Sequence, residues 1–463
     1  MIKNFSTLIF VSLFICPVIT LAQGQLPDSV TNKLKKAVEG FKNRYNSPSV
    51  AVCIIRGNEI VYDEALGYTD VENKVPATID SKYPIMSITK TFTAIMLMQL
   101  VEQGVVELND DVRKYVPEYK VRSDFPGTGA TTLLQLATHT SGLPRNSPAD
   151  SGFTYSLDKW MLSGGSNTIK PFSTNKQLLN SLQFLKLEFP PYHFVHHNDR
   201  HYSNLGYSLL GIAMERAAKT GYPKYVAAQI FKPLGMQFTG FLTEPGLMNQ
   251  VAKGYRYNKT NSRFEHIPLF EINSGIYAGG TYSTAKDMTK FISAQFESNK
   301  LLSADSRAMM RNLKIGWKPA YPYVLHEGAF PAHRSIIVFN PESKIGWVIL
   351  TNGSDIDFNQ INGQLAEILT ETYRKPLVPT LEKYAGTYRL PGGYGSLEIY
   401  LKNDTLYSNY CQELMPGRPM ISDGGLRFKV GGKDGYTINY EFIADQNSAV
   451  NALRMGQFVW YKE

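Results

Sequence analysis

Hydrophobic positions fall into three textures along this chain, and each predicts a different kind of element. From residue 28 the spacing is helical: Val30, Leu34, Val38, Phe41 and Tyr45 share one face, Asp28 or Ser29 stands at the cap position and Pro48 stops the run. A continuous apolar run follows, Val50-Ala51-Val52-Cys53-Ile54-Ile55, then the polar turn Arg56-Gly57-Asn58-Glu59 and Ile60-Val61-Tyr62, which predicts a β-hairpin. Helical spacing returns in Phe92, Ile95, Met96, Leu100 and Val101, a buried stripe ending at Gly104. Thr131 to Leu143 predicts a short capped helix ending at Gly142. Pro144 to His201, rich in Ser, Asn, Pro and aromatics with one helical patch at Gln177 to Leu185, predicts a loop-rich insertion beside a cleft. Further helices are expected at Asn204 to Lys219 (stripe Leu205, Leu209, Ile212, Ala213), Thr284 to Phe296 and Asp355 to Tyr373. A second hairpin is expected from Ala332 to Phe339 and Gly346 to Thr351 around Asn340-Pro341-Glu342-Ser343.

Beyond Lys375-Pro376-Leu377-Val378-Pro379, a stiff linker, the texture changes to short alternating runs separated by Gly, Asn and Asp: Gly386 to Leu390, Ser396 to Leu401, Thr405 to Tyr410, Leu426 to Val430, Tyr436 to Phe442 and Phe458 to Tyr461. The expected architecture is therefore α/β (α+β): an antiparallel sheet flanked by helices with an all-helical region over residues 23–374, a linker over 375–379, and a small all-β, barrel-like domain over 380–463. A chain of 463 residues is long enough for two cores.

Residues 1–22 have the pattern of a secretory signal: Lys3, the apolar run Leu8 to Ile15, and Thr20-Leu21-Ala22 before Gln23. Cys16 follows Phe14-Ile15 rather than small residues, which does not suit a lipid-anchored cysteine. No later stretch approaches the length of a membrane span, so the expected product is exported, periplasmic or secreted, without an integral membrane segment. Only Cys53 and Cys411 follow the signal, in different predicted domains, and both read as buried free thiols. Lys and Arg number 48 against 40 Asp and Glu, yet the basic residues are scattered, with no stripe or motif for nucleic acid. The expected partner is a small-molecule or peptide substrate.

Candidate chemistry centres on Ser87-Ile88-Thr89-Lys90, at the head of the second helical stripe. A lysine three residues after a serine puts amine and hydroxyl on one helix face, and the helix N-terminus favours the oxyanion of acyl transfer. A desolvated lysine can take the serine's proton. The spacing alone is weak, because Ser-x-x-Lys recurs at Ser156–Lys159, Ser173–Lys176 and Ser283–Lys286.

What singles out Ser87 is the company downstream: Tyr202-Ser203-Asn204 and then His326-Glu327-Gly328, supported by His139-Thr140-Ser141-Gly142-Leu143 and Gly279-Gly280-Thr281-Tyr282-Ser283. In this order the motifs resemble the serine β-lactamase and penicillin-binding protein superfamily. The likeness is to its class C β-lactamase-related branch, which also holds D-aminopeptidases, DD-peptidases and esterases, and it covers residues 28–370. The resemblance implies a β-lactamase-like fold and a reaction without metal or cofactor. In that reaction Ser87 attacks a carbonyl, Lys90 holds or takes its proton, and the Tyr202 phenol passes the proton to the leaving group. Asn204 would hold the Lys90 amine and a substrate amide, the strand of His326 and Gly328 would run beside the nucleophile, and the amides of Ser87 and Ala329 would form the oxyanion hole. Which group is the general base stays open.

Look-alike motifs fail on order. Tyr407–Asn409 repeats Tyr-Ser-Asn after the third motif, and Lys219-Thr220-Gly221 reads as a helix stop. His326 stands where true β-lactamases of this branch carry lysine, and a neutral imidazole pulls less on a substrate carboxylate, which weighs against efficient antibiotic hydrolysis. His193, His196, His197 and His201 crowd one loop that leads into Tyr202 and read as cleft-wall or surface residues rather than a metal site. His139 reads as a structural hydrogen-bonder. The expected function is an exported serine hydrolase cleaving an amide or ester in a small or D-amino-acid-containing peptide. The alternatives are a carboxylesterase, a weak β-lactamase, or a non-catalytic binding protein on the same fold.

Overall fold

A computed structural model describes residues 26–463 other than 164, 192–200, 245, 297–298, 374–380, 392–395, 404, 411–417, 425, 432–436, 446–448 and 457. The signal-like segment 1–22, the linker 375–379, Cys411 and the histidines at 193, 196 and 197 lie outside the described residues. The chain forms two compact units, Met1–Asn362 and Gly363–Glu463.

The first unit is built on a seven-stranded sheet. Its strands are β1 (Ser49–Arg56), β2 (Glu59–Asp70), β3 (Val75–Pro76), β4 (Lys318–Ala320), β5 (Tyr323–Phe330), β6 (His333–Asn340) and β7 (Ile345–Thr351), in the order β3-β2-β1-β7-β6-β5-β4. Every neighbouring pair is antiparallel. Arg56 pairs with Glu59, leaving Gly57 and Asn58 as the loop, and Gly57 takes the positive φ of 61° that such a tight turn needs. At the second hairpin the Asn340 side chain accepts from the amides of Glu342 and Ser343. Pairing of Val50 with Thr351 brings the first strand beside the last. Strands β1 and β7 are buried on both faces, which explains their unbroken apolar runs.

Helices cover the sheet. Helix α1 (Asp28–Arg44) buries Leu34, Ala37, Val38 and Phe41. Its cap position is Pro27, so Asp28 sits inside the first turn, where its charge suits the helix dipole. Helix α2 (Thr89–Glu102) is buried all round from Thr89 to Leu100, not along one stripe, and runs through the main core. Helix α3 (Asn204–Ala218) is capped by Ser203, whose Oγ accepts from Gly206 N, and closes at left-handed Lys219, so that lysine is a helix stop. Helix α4 (Ala285–Ser293) is capped by Thr284 and packs on β1 and β7.

Three regions differ from expectation. The helix expected over Thr131 to Leu143 is only Leu133–Ala137, held by a Thr132/Gln135 capping box, because His139 turns left-handed at φ 60°. The insertion carries an unforeseen helix, Ser151–Leu162, besides Asn175–Ser181. A hairpin of Gly254–Asn258 and Arg263–Ile267 was also not legible from periodicity.

The second unit is a single antiparallel sheet that curls into a nearly closed barrel. The strand Arg418–Pro419 at one end of the order approaches Arg427–Gly431 near the other. Inward residues of alternating strands, among them Tyr388, Leu397, Ile399, Leu406, Phe428, Tyr440, Phe442, Leu453 and Trp460, make its core. The expected strands are present, joined by Ile421–Gly424 and Val450–Met455, which the alternation did not single out.

Candidate active site

The backbone ahead of Ser87 is held from two sides. Tyr83–Pro84 pairs with Thr281–Ser283, and Ile85 N donates to Thr281 O at 3.0 Å. On the other side the Ile85 carbonyl accepts from Ser335 Oγ of β6 at 2.8 Å. Between these anchors Met86 is forced to φ 49°, a left-handed conformation that costs a non-glycine residue about 1–3 kcal/mol. The sharp turn leads into a 3₁₀ turn, Met86–Ile88, continuous with α2, and places half-buried Ser87 at the helix mouth with Lys90 one turn on.

Lys90 is fully buried, and its Nζ lies 3.2 Å from Ser87 Oγ, 2.8 Å from Asn204 Oδ1 and 2.7 Å from the Ala278 carbonyl. Burial, followed by the charges of Arg145 and Lys318, pushes its pKa well below the ordinary lysine value. A neutral amine has two hydrogens and one lone pair. Asn204 Oδ1 and Ala278 O can only accept, so in that form they would take the hydrogens and leave the lone pair for the Ser87 hydroxyl. Two carbonyls thus fix the direction of the Lys90 amine relative to Ser87 Oγ.

Tyr202 reaches the same place: its ring centroid is 4.8 Å from Lys90 Nζ. Asn204, at the start of α3, accepts from Lys90 through Oδ1 and donates through Nδ2 to Asn146 Oδ1 at 2.9 Å. His139 sits behind Tyr202, with ring centroids 4.3 Å apart, and its Nδ1 accepts from Ser203 N at 3.1 Å. The proton of a neutral His139 is therefore on Nε2. Burial first, then the nearby basic groups Lys90, His326, Lys318 and Arg145, keep its pKa well below the usual imidazole value. His139 orders the Tyr202–Asn204 turn, as a structural hydrogen-bonder does.

Strand β5 supplies the third element. His326 and Gly328 are buried while Glu327 and Ala329 are exposed, an alternation that turns His326 and Gly328 to the α2 side. A Cβ on Gly328 would lie 2.1 Å from Ile85 O and 2.2 Å from Ser335 Oγ, so the strand backbone rests directly on the turn preceding Ser87. Strand β4 pairs only with Tyr323 to Leu325, so among the described residues the segment 326–330 has no strand partner on that edge. Ala329, paired with Arg334 on β6, lies on this segment. His326 donates from Nδ1 to the Glu327 carbonyl at 2.8 Å, and burial, with Lys90 and Lys318 nearby, lowers its pKa to about 3. The imidazole is neutral at pH 7, with a bare Nε2.

The three sequence motifs are thus brought together. Reasoning from the sequence missed Ala278, whose carbonyl fixes Lys90, although Gly279-Gly280-Thr281 next to it was noticed. Thr281 is tied to α2 through Thr89, with their hydroxyls 2.6 Å apart. Two cations were also missed: Arg145, with Cζ 5.1 Å from the Tyr202 ring centroid, and Lys318, with Nζ 5.8 Å from it. Arg145 lies two residues past Leu143 of a noticed stretch, and Lys318 on a strand too short for any period. Of the histidine-rich loop only His201 is described; its ring meets Phe189 edge-on at 4.0 Å.

Comparison with known proteins accords with this geometry. The Beta-lactamase family model matches residues 34–370. Beta-lactamase-like protein 2 of Dictyostelium discoideum is 32% identical over 55% of this chain and 43% of its own length. Protein flp of Staphylococcus aureus (strain N315) is 26% identical over 71% of this chain and 64% of its own. The chain therefore spans less than two thirds of either relative. Among solved structures, the octameric penicillin-binding protein homologue from Pyrococcus abyssi superposes with a TM-score of 0.61 at 25% identity, covering 93% of this chain and 99% of that one. EstCE1, a hydrolase with promiscuous acyltransferase activity, shares the fold with a TM-score of 0.59 at 19% identity, over 74% of this chain and 98% of its own.

Proposed function

Because the chain belongs to the Beta-lactamase family, we propose that it is a serine hydrolase that cleaves an amide or ester bond through an acyl-Ser87 intermediate. The observation that carries this reading is the environment of Lys90: a fully buried amine, its pKa depressed, held by two carbonyls with its third direction on Ser87 Oγ. Lys90 takes the hydroxyl proton as Ser87 Oγ bonds to the substrate carbonyl carbon. The C=O π pair moves onto oxygen, facing the amides of Ser87 and Ala329. Collapse of the tetrahedral species breaks the bond to the leaving group, which takes a proton by way of Tyr202. Water then repeats the sequence on the acyl-enzyme and frees Ser87.

The substrate favoured is a small or D-amino-acid-containing peptide, reached after export directed by residues 1–22. A neutral His326 supports amide or ester substrates over β-lactam antibiotics, since it supplies no fixed positive charge for a carboxylate. The same observation favours a carboxylesterase as the second reading. A panel of D-amino-acid amides, short-chain esters and cephalosporins, run with wild type and Ser87→Ala, tests the proposal. Turnover of an amide or ester that vanishes in Ser87→Ala is the expected result; turnover surviving in the variant overturns it.

A further inference from the structure

Of the two carbonyls that hold Lys90, the one on Ala278 has the weaker local support. Ala278 lies in the four-residue helix Ile276–Gly279, and a single helical turn has little stability of its own. The 2.7 Å bond from Lys90 Nζ to Ala278 O therefore depends on what holds this turn from outside.

A closed circuit of hydrogen bonds through Tyr277 does so. The Tyr277 phenol donates to Glu215 Oε2 of α3 at 3.2 Å and accepts from Asn175 Nδ2 at 2.8 Å. The Tyr277 carbonyl accepts from Thr93 Oγ1 at 2.6 Å, and Thr93 stands one turn beyond Lys90 on α2. That bond uses the only hydrogen on Thr93 Oγ1, so the Tyr222 hydroxyl, 2.7 Å away, donates to it. Tyr222 completes the circuit through its backbone, with N donating to the same Glu215 Oε2 at 3.1 Å. Thr93, Tyr222 and Tyr277 are all buried, and the two tyrosine rings meet edge-on with centroids 4.9 Å apart. A charged acceptor strengthens both bonds that end on Glu215. Helices α2 and α3 thus grip the peptide between Tyr277 and Ala278 from two sides, and Asn175 adds a tie from the insertion.

We propose that Tyr277 is a positioning residue for Lys90: its phenol, held by Glu215 and Asn175, fixes the Ala278 carbonyl and through it the direction of the amine. This rests on the acyl-Ser87 reading above, in which Lys90 acts on the Ser87 hydroxyl. Among the described residues the hydrogen bonds of the Tyr277 phenol and carbonyl go to Glu215, Asn175 and Thr93, so its effect on the reaction passes through the carbonyl of the next residue.

The test follows the rate constant for reaction of Ser87 with a fluorophosphonate, a quantity that does not depend on how much of a preparation is folded. Tyr277→Phe keeps the ring and removes the hydroxyl, and it is made both in the wild type and in Lys90→Ala. The reaction is expected to slow by ~10-fold where Lys90 is present, and by less than about 2-fold where it is absent, because the amine that Tyr277 directs is gone. Glu215→Ala should repeat this pattern, while Glu215→Gln, which keeps an acceptor oxygen, should restore most of the rate. Arg216→Gln, on the same turn but paired with Glu118, should leave the rate unchanged. If Tyr277→Phe does not fold, the two Glu215 variants read the same coupling. Equal slowing with and without Lys90 means a general structural role and overturns the inference, as does no slowing in either background. Failure of Ser87 to react in the wild type overturns the hydrolase reading and this inference together.

Discussion

The carbonyl oxygen of Ile85 occupies the space into which a side chain on Gly328 would grow, 2.1 Å from the position of its Cβ. Strand β5 and the turn that presents Ser87 are thereby in backbone contact, and the distance between Ser87 and the strand's free edge is set by the absence of one carbon atom. Gly328→Ala must push the strand or the turn away. A displacement near 1 Å at a reacting centre costs on the order of 100-fold in rate. The expected outcome is kcat/KM lowered by about that factor, with the Ser335 Oγ bond to Ile85 weakened; a wild-type rate would show that the contact does not set the geometry.

Lys90→Ala removes the amine that lies 3.2 Å from Ser87 Oγ and leaves Asn204 Oδ1 and Ala278 O without their donor. Acylation should slow by at least ~100-fold, as expected when general-base help is lost. Single-turnover acylation kinetics measure this directly, and an unchanged rate would place the base elsewhere.

Acid should destabilise the fold through buried imidazoles. His326 is held down to about 3, and His333, buried with Nε2–H donating to Ala252 O, to about 4. In the unfolded chain both protonate near pH 6.5. Between that pH and the folded values the unfolded state binds more protons, so stability falls as pH drops from about 6.5 toward 3–4, by up to about 1.4 kcal/mol per pH unit for each histidine. Urea titrations at stepped pH should show this slope, and His333→Gln should reduce it between about pH 6.5 and 4 while leaving the His326 part, which continues toward pH 3. A flat profile across the window would contradict the burial of both rings.

Helix α3 crosses the short helix Ile276–Gly279 at Gly211, where a Cβ would lie 2.2 Å from Tyr277 Cδ1. Gly211→Ala should cost about 1–3 kcal/mol of stability by overpacking. Because the carbonyls of Tyr277 and Ala278 accept from Thr93 and Lys90, activity should fall with it. Chemical denaturation and kcat/KM, measured on the same preparation, check both halves.

Much of the site was legible because its chemistry lies in short, ordered motifs: Ser87 and Lys90 on one helix turn, Tyr202 and Asn204 at a helix cap, His326 and Gly328 on one strand. What escaped notice has physical reasons. The helix Ser151–Leu162 buries only Phe153, Ser156 and Trp160 and leaves Tyr155 and Leu162 exposed, so its apolar pattern is thin. Ala278 acts through its backbone carbonyl, which every residue has. Arg145 and Lys318 matter through position in space, from segments 173 residues apart that only the folded sheet and its rim bring to one ring. The early end of the helix at Ala137 reflects a tertiary demand, the His139 ring meeting Ser203 N, that local propensity does not register.

The central claim is that Ser87 is the nucleophile, and covalent labelling tests it most directly. The protein is treated with a fluorophosphonate and the modified residue located by peptide mass spectrometry. The account predicts one adduct, on Ser87, absent from Ser87→Ala and formed far more slowly in Lys90→Ala. An adduct on another residue, or undiminished labelling in Ser87→Ala, would contradict it.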